Sequence, residues 1–206
     1  MVEVRIVDRS RMEAFSDGVF AVAITLLVVN LAVPKRGGPP ILDQLGAAWP
    51  SFVAYLVSFL TIGIIWVNHH ALVMNIAVVD RTLLFLNLLL LVFVVTIPFS
   101  TATMATFLTS GGQDAKVAMA LYALDFEIMS LCFIAVFEWT LREDGRLHEP
   151  VPESAKWAVR RRFYAGQVPY AGAVGLAFLS PFVSLVVTGL VAVYYMFERT
   201  PVRRGS

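Results

Sequence analysis

The chain has 206 residues, of which 58% are apolar and 15% charged, with a mean hydropathy of +0.75. Soluble domains carry about a quarter charged residues, so this composition excludes a water-soluble globular protein and specifies an integral membrane one. The net charge of +1 hides an uneven placement of the charges, which is what fixes orientation, and no nucleic-acid partner is expected.

The N-terminal residues carry Arg5 and Arg9 but are followed by no Ala-x-Ala-like cleavage site, and the next apolar run is too long for a signal-peptide core. It is read as a retained span. A spanning helix needs about 20 mostly apolar residues at 1.5 Å rise each. On that measure the spans are 12–33, 45–70, 82–108, 117–141, 163–179 and 182–198, in one transmembrane domain, 1–206.

The first span ends at Pro34, before Lys35, Arg36 and a Gly-Gly-Pro-Pro turn. The second has no formal charge between Asp43 and Asp80, and the third, closed by Gly111 and Gly112, holds Pro98 late in its run. The fourth contains Asp125, Glu127 and Glu138, together with Cys132. As the sole cysteine, Cys132 allows no intrachain disulfide or thiolate cluster and reads as a small buried hydrophobe. The polar stretch 142–162 is too short for a domain.

Residues 163–197 form an uncharged run that as one helix would extend about 52 Å, beyond the hydrocarbon core. Ser180-Pro181 breaks it into two spans. Charge placement supports six spans over five. With six, 13 of the 16 Lys and Arg residues share one side, namely Arg5, Arg9, Arg11, Arg81, Arg142, Arg146, Lys156, Arg160, Arg161, Arg162, Arg199, Arg203 and Arg204. Only Lys35, Arg36 and Lys116 fall on the other, so both termini are expected in the cytoplasm.

The head of the first span carries Arg11, Phe15, Ser16 and Asp17 in an Arg-x-x-x-Phe-Ser-Asp pattern. This closely resembles the signature of the transmembrane protein 175 family of potassium channels, in its bacterial single-repeat branch. The resemblance implies an all-α fold with six spans per chain, a homotetramer in a bacterial cell membrane, and a central pore lined by the first helices with an apolar constriction. It implies potassium as the permeant ion and no cofactor.

The residues themselves support part of this. In an antiparallel pair of spans, Arg11 to Asp17 and the Trp66-Val-Asn68-His69-His70 segment end at similar depth. A carboxylate in lipid must find donors, and Trp66, Asn68, His69 and His70 are available, with Arg11 a further partner for Asp17. We read Arg11, Ser16, Asp17, Trp66, Asn68, His69 and His70 as a polar cluster pinning the first helix to the second, not as ion ligands. His69 and His70 are adjacent and so point about 100° apart on a helix, unlike the i, i+4 pair of a zinc enzyme. No Gly-x-Ser-x-Gly elbow is present either, and no enzymatic activity is expected.

There is no Thr-Val-Gly-Tyr-Gly segment, so potassium preference would come from side chains on a pore helix and not from a filter of carbonyls. Val22, Thr25, Leu26 and Val29 follow the i, i+3, i+4, i+7 spacing of one helical face. Taken alone, such a stripe in a membrane helix is more often packing or lipid contact than pore lining. By the resemblance, Val22 takes the place of the family's narrowest ring, usually Ile or Leu. Thr25 takes the place of a hydroxyl, and Leu26 and Val29 form the next apolar layers.

Asp125 and Glu127, two residues apart, do not form a paired-carboxylate device. A subunit interface, a wet crevice and neutral carboxyls remain open for them. They sustain a competing reading, a proton-coupled secondary transporter using Asp17, His70 and these acids.

Overall fold

The computed structural model describes residues 8–31, 33–142, 146–148 and 152–197. Arg5, Arg199, Arg203 and Arg204, which entered the charge count, lie outside the described residues. Apart from one isolated bridge between Ile76 and Leu147, the regular structure described is helical. The helices are α1 (Arg9–Val29), α2 (Ile41–Ala47), α3 (Trp49–Met74), α4 (Arg81–Phe107), α5 (Gly112–Leu141), α6 (Glu153–Leu179) and α7 (Pro181–Phe197).

Local chemistry accounts for most of the boundaries. Asp8 caps α1 by accepting the Ser10 amide at 3.0 Å, and Asp80 caps α4 by accepting that of Leu83 at 2.8 Å. Proline opens α7, where its missing N–H is no loss, and the chain turns from α6 at Ser180 as expected. Gly111 and Gly112 take φ of 71° and 63°, a left-handed turn between α4 and α5 that side chains with a Cβ resist.

Three boundaries differ from the sequence reading. Helix α1 stops at Val29, where Asn30 takes over as C-cap, and not at residue 33. The stretch taken to open the second span is divided at Ala48 into a short α2 and α3, with Pro50 in the first turn of the latter. Helix α6 starts at Glu153, well inside the stretch read as a polar connection. Its charged first turns are held by Lys156 to Glu153 at 2.8 Å and by a two-pronged contact from Arg160 to Glu138 of α5.

Helices α1, α3, α4 and α5 are each long and apolar enough to cross a membrane, and α7 is a shorter apolar helix. The chain is therefore a multi-pass membrane protein. Sequential neighbours α4–α5, α5–α6 and α6–α7 pack together, α7 closes on α3 and α5, and α1 lies against α3 and α4. Among the described residues, helix α5 holds the most buried side chains, Tyr122, Phe126 and Met129 among them.

Lipid offers no hydrophobic drive between helices, so close approach and interhelical hydrogen bonds supply the specificity. Ser58 of α3 meets both Thr101 of α4 and Tyr122 of α5, at 2.8 and 2.9 Å. Between α6 and α7, a Cβ at Gly166 would stand 1.5 Å from the Tyr195 hydroxyl, so glycine is what lets that ring lie on the helix.

Candidate functional site

Helix α1 has two unlike faces. Met12, Ser16, Phe20, Ala23 and Leu27 are buried against α3 and α4, in register with the helical repeat. Val22, Thr25, Leu26 and Val29 are exposed, Val22 at 55% and Val29 at 74%. The bare arc also includes Phe15 and Val28. Thr25 donates its hydroxyl to the Val22 carbonyl at 2.9 Å, which commits its proton to the helix and leaves oxygen lone pairs directed outward.

Both ends of the covered face are tied down. Near the start, Asn87 of α4 donates to Ser16 at 2.9 Å, and at the far end the Asn30 amide donates to the Pro98 carbonyl, also of α4, at 3.0 Å. About 21 Å of helix separates the two anchors. The uncovered face is thus presented on a helix fixed at two points.

The seven residues read as one polar cluster fall into two groups. In the buried group, the Ser16 hydroxyl donates to the Met12 carbonyl at 2.8 Å, so its oxygen must accept from Asn87 Nδ2. That orientation turns Asn87 Oδ1 toward His69 Nε2, 2.7 Å away, so this nitrogen carries the proton. The His69 ring also rests on Phe20, with centroids 5.4 Å apart.

In the second, half-exposed group, the Trp66 indole donates to Asp17 Oδ1 at 2.9 Å and stacks on His70, whose Nδ1 lies 3.2 Å from Glu13 Oε1. Asn68 donates to the Ile64 carbonyl of its own helix at 3.0 Å. Arg11, expected to pair with Asp17, is exposed, and among the described residues no hydrogen bond or ion pair joins the two.

Two members escaped the sequence reading. Asn87 is the lone amide in a leucine-rich run, and its isolation there was the available signal. Glu13 precedes Asp17 by one helical turn, a spacing that puts both carboxylates on one face.

The acids of α5 are placed separately. Asp125 is buried between α4 and α5, its oxygens each 2.7 Å from the Thr96 and Ser100 hydroxyls. Glu138 is engaged by Arg160. Among the described residues no hydrogen bond connects these acids to Asp17 or His70.

Outside the membrane segments, a second knot gathers the helix ends. Arg146 reaches Asp80 at 2.7 Å, the Trp139 indole reaches the same carboxylate at 3.2 Å, and Arg9 donates to the Met74 carbonyl at 3.0 Å. Burial alone would raise the Asp80 carboxyl, but the Leu83 amide, the Arg146 guanidinium and the indole outweigh it and hold it below the usual carboxylate range.

Residues 11–98, which span α1 to the middle of α4 and contain both polar groups, match the family described as endosomal/lysosomal potassium channel TMEM175. Over 197 residues the chain is 48% identical to a potassium channel of Streptomyces collinus, covering 95% of each. It belongs to the TMEM175 family. A potassium channel of Chamaesiphon minutus is 34% identical over 91% of this chain and 93% of its own.

The crystal structure of a homologue, from Chamaesiphon minutus, of the lysosomal potassium-selective channel TMEM175 superposes with a TM-score of 0.79 at 33% identity, covering 91% of this chain and 96% of that one. The mouse TMEM175 protein, described as an endosomal/lysosomal proton channel, is 29% identical over 68% of this chain but only 29% of its own length. The TMEM175 family is one of ion channels and not of enzymes.

Proposed function

We propose that the chain is a potassium channel subunit with six spans and cytoplasmic termini, assembled as a homotetramer in a bacterial cell membrane, with the Val22, Thr25, Leu26 and Val29 face of α1 lining the central pore. The observation that carries this reading is the anchored but uncovered helix. Helix α1 is fixed to α4 through Ser16 and Asn30, while the residues of the proposed face are exposed.

Four copies of that face around an axis would bury it and leave an apolar ring at Val22. No polar group would solvate an ion there, and conduction would depend on whether the ring stays wet. Thr25, almost one turn further along, would turn four hydroxyl oxygens toward the axis with their protons already committed to Val22 carbonyls, an arrangement suited to a cation. The reading needs potassium as permeant, the lipid bilayer as surroundings, and no cofactor.

The proton-coupled transporter reading finds less support, because Asp125 is held by α4 hydroxyls and, among the described residues, no hydrogen bond links it to Asp17 or His70. Reconstitution in liposomes with a potassium gradient and no proton gradient separates the two. A channel gives current that reverses at the potassium equilibrium potential, whereas a coupled carrier gives almost none. A reversal potential that follows protons instead would refute potassium conduction.

A further inference from the structure

We propose that Glu13, Asp17 and His70 form a binding site for a transition-metal dication of the Zn2+ type, which staples α1 to α3. One ligand atom from each residue lies within 4.8 Å of the other two, and the His70 Nδ1 to Glu13 Oε1 edge is already 3.2 Å. Ligands on a tetrahedral zinc stand about 3.4 Å apart, given metal–ligand bonds near 2.1 Å, so small side-chain rotations close the set.

The donor chemistry selects the metal class. Two carboxylates with one imidazole favour Zn2+ over Mg2+ or Ca2+, which take oxygen ligands and several waters. Three protein ligands leave a fourth position open, and the His70 side chain, 46% exposed, leaves that position accessible.

Electrostatics points the same way. Glu13 and Asp17 share one face of α1, and among the described residues no Lys or Arg forms an ion pair with either. Their resting partners are an imidazole and a neutral indole. A dication would neutralise both carboxylates at once. The adjacency of His69 and His70 is no obstacle, since the ligands come from two helices and His69 is engaged elsewhere by Asn87.

The test is made on tag-free, full-length protein in detergent, titrated with ZnCl2 against a background of excess MgCl2, by calorimetry and thermal melting. It reads binding alone and is independent of conduction. We expect saturable binding of one Zn2+ per chain, with a rise in melting temperature that MgCl2 does not produce. Glu13→Gln and His70→Gln should each weaken binding by about tenfold or more, and His148→Gln should leave it unchanged. Glu13→His, which replaces a carboxylate with an imidazole donor, should bind Zn2+ at least as tightly as the native protein. That variant decides the matter if the glutamine variants fail to fold. Absence of Zn2+ binding by the native chain, undiminished binding in both folded glutamine variants, or weakened binding in folded Glu13→His would overturn the proposal.

Discussion

Asn87 Nδ2 donates to Ser16 Oγ across 2.9 Å inside the bundle, where Ser16 is 0% and Asn87 2% exposed. The bond is one link in a directed series from His69 Nε2–H through Asn87 and Ser16 to the Met12 carbonyl. Each member has a single sensible orientation, and the series crosses α3, α4 and α1 at one level. It fixes the rotation of α1 about its own axis, and so determines which residues are left bare on the opposite face.

Asn87→Leu removes both amide contacts, leaving the His69 N–H and the Ser16 oxygen without partners in an apolar core. Interhelical hydrogen bonds in membranes average about 0.6 kcal/mol, and stranding buried groups adds to that, so a loss of about 1–3 kcal/mol is expected. Melting in detergent, compared between Asn87→Leu and Asn87→Ser, checks it. Serine retains a hydroxyl and should lie between leucine and the native residue.

At the half-exposed group the same reasoning gives smaller numbers. Trp66→Phe keeps an aromatic ring against His70 but deletes the indole donor to Asp17, for an expected loss of about 1 kcal/mol at this partly wet position. Asp17→Asn preserves an acceptor oxygen and should lose less than Asp17→Ala. If Asp17→Ala melts like the native protein while its potassium-to-sodium permeability ratio changes, Asp17 belongs to the permeation path and not to an anchor.

The sequence carried the coarse architecture because its signals are strong in lipid. Long apolar runs and the Ser180-Pro181 break mark helices α1, α3, α4, α5 and α7. The start of α6 was hidden because helix propensity, not hydropathy, governs its Glu153 to Arg162 turns, and these charged residues look like a connection. Asn87 was hidden for a different reason. A single polar residue in an apolar run has no periodicity, and its importance comes from Ser16 and His69, which lie far away in the chain. The pairing of Asp17 with Trp66 was readable from the need of a carboxylate for donors, but its separation from Ser16 depended on the rotation of α1, which no pattern in the sequence specifies.

The Asp80 knot makes acid stability measurable. Its folded-state carboxyl sits below the usual range, so the unfolded chain binds its proton more tightly. The stabilisation is therefore complete above the unfolded pKa, near 3.9, and is lost as pH falls through the lower folded value. The melting-temperature gap between native protein and Asp80→Asn should stay constant from about pH 8 to about pH 5 and close below about pH 4. A gap that widens on acidification would mean that Asp80 is not held ionised by Arg146 and the Leu83 amide.

The pore face is tested by residues matched for exposure. Val22 is 55% and Val28 52% exposed, so both are bare in the protomer and differ chiefly in direction, with Val28 roughly 120° round the helix at 3.6 residues per turn. If Val22 forms the constriction, Val22→Ser or Val22→Asn places polar groups where valine expels water. Current should then rise and the potassium-to-sodium permeability ratio fall. Thr25→Val, which removes the outward oxygen, should lower potassium preference without the gain in current. Val28→Ser, turned away from the axis, should leave both quantities close to native. The measurement is single-channel conductance and reversal potential in planar bilayers under mixed potassium and sodium. A response at Val28 with none at Val22 or Thr25 would rotate the pore face by about a third of a turn, to an arc that Ser16 and Asn30 do not orient toward the axis.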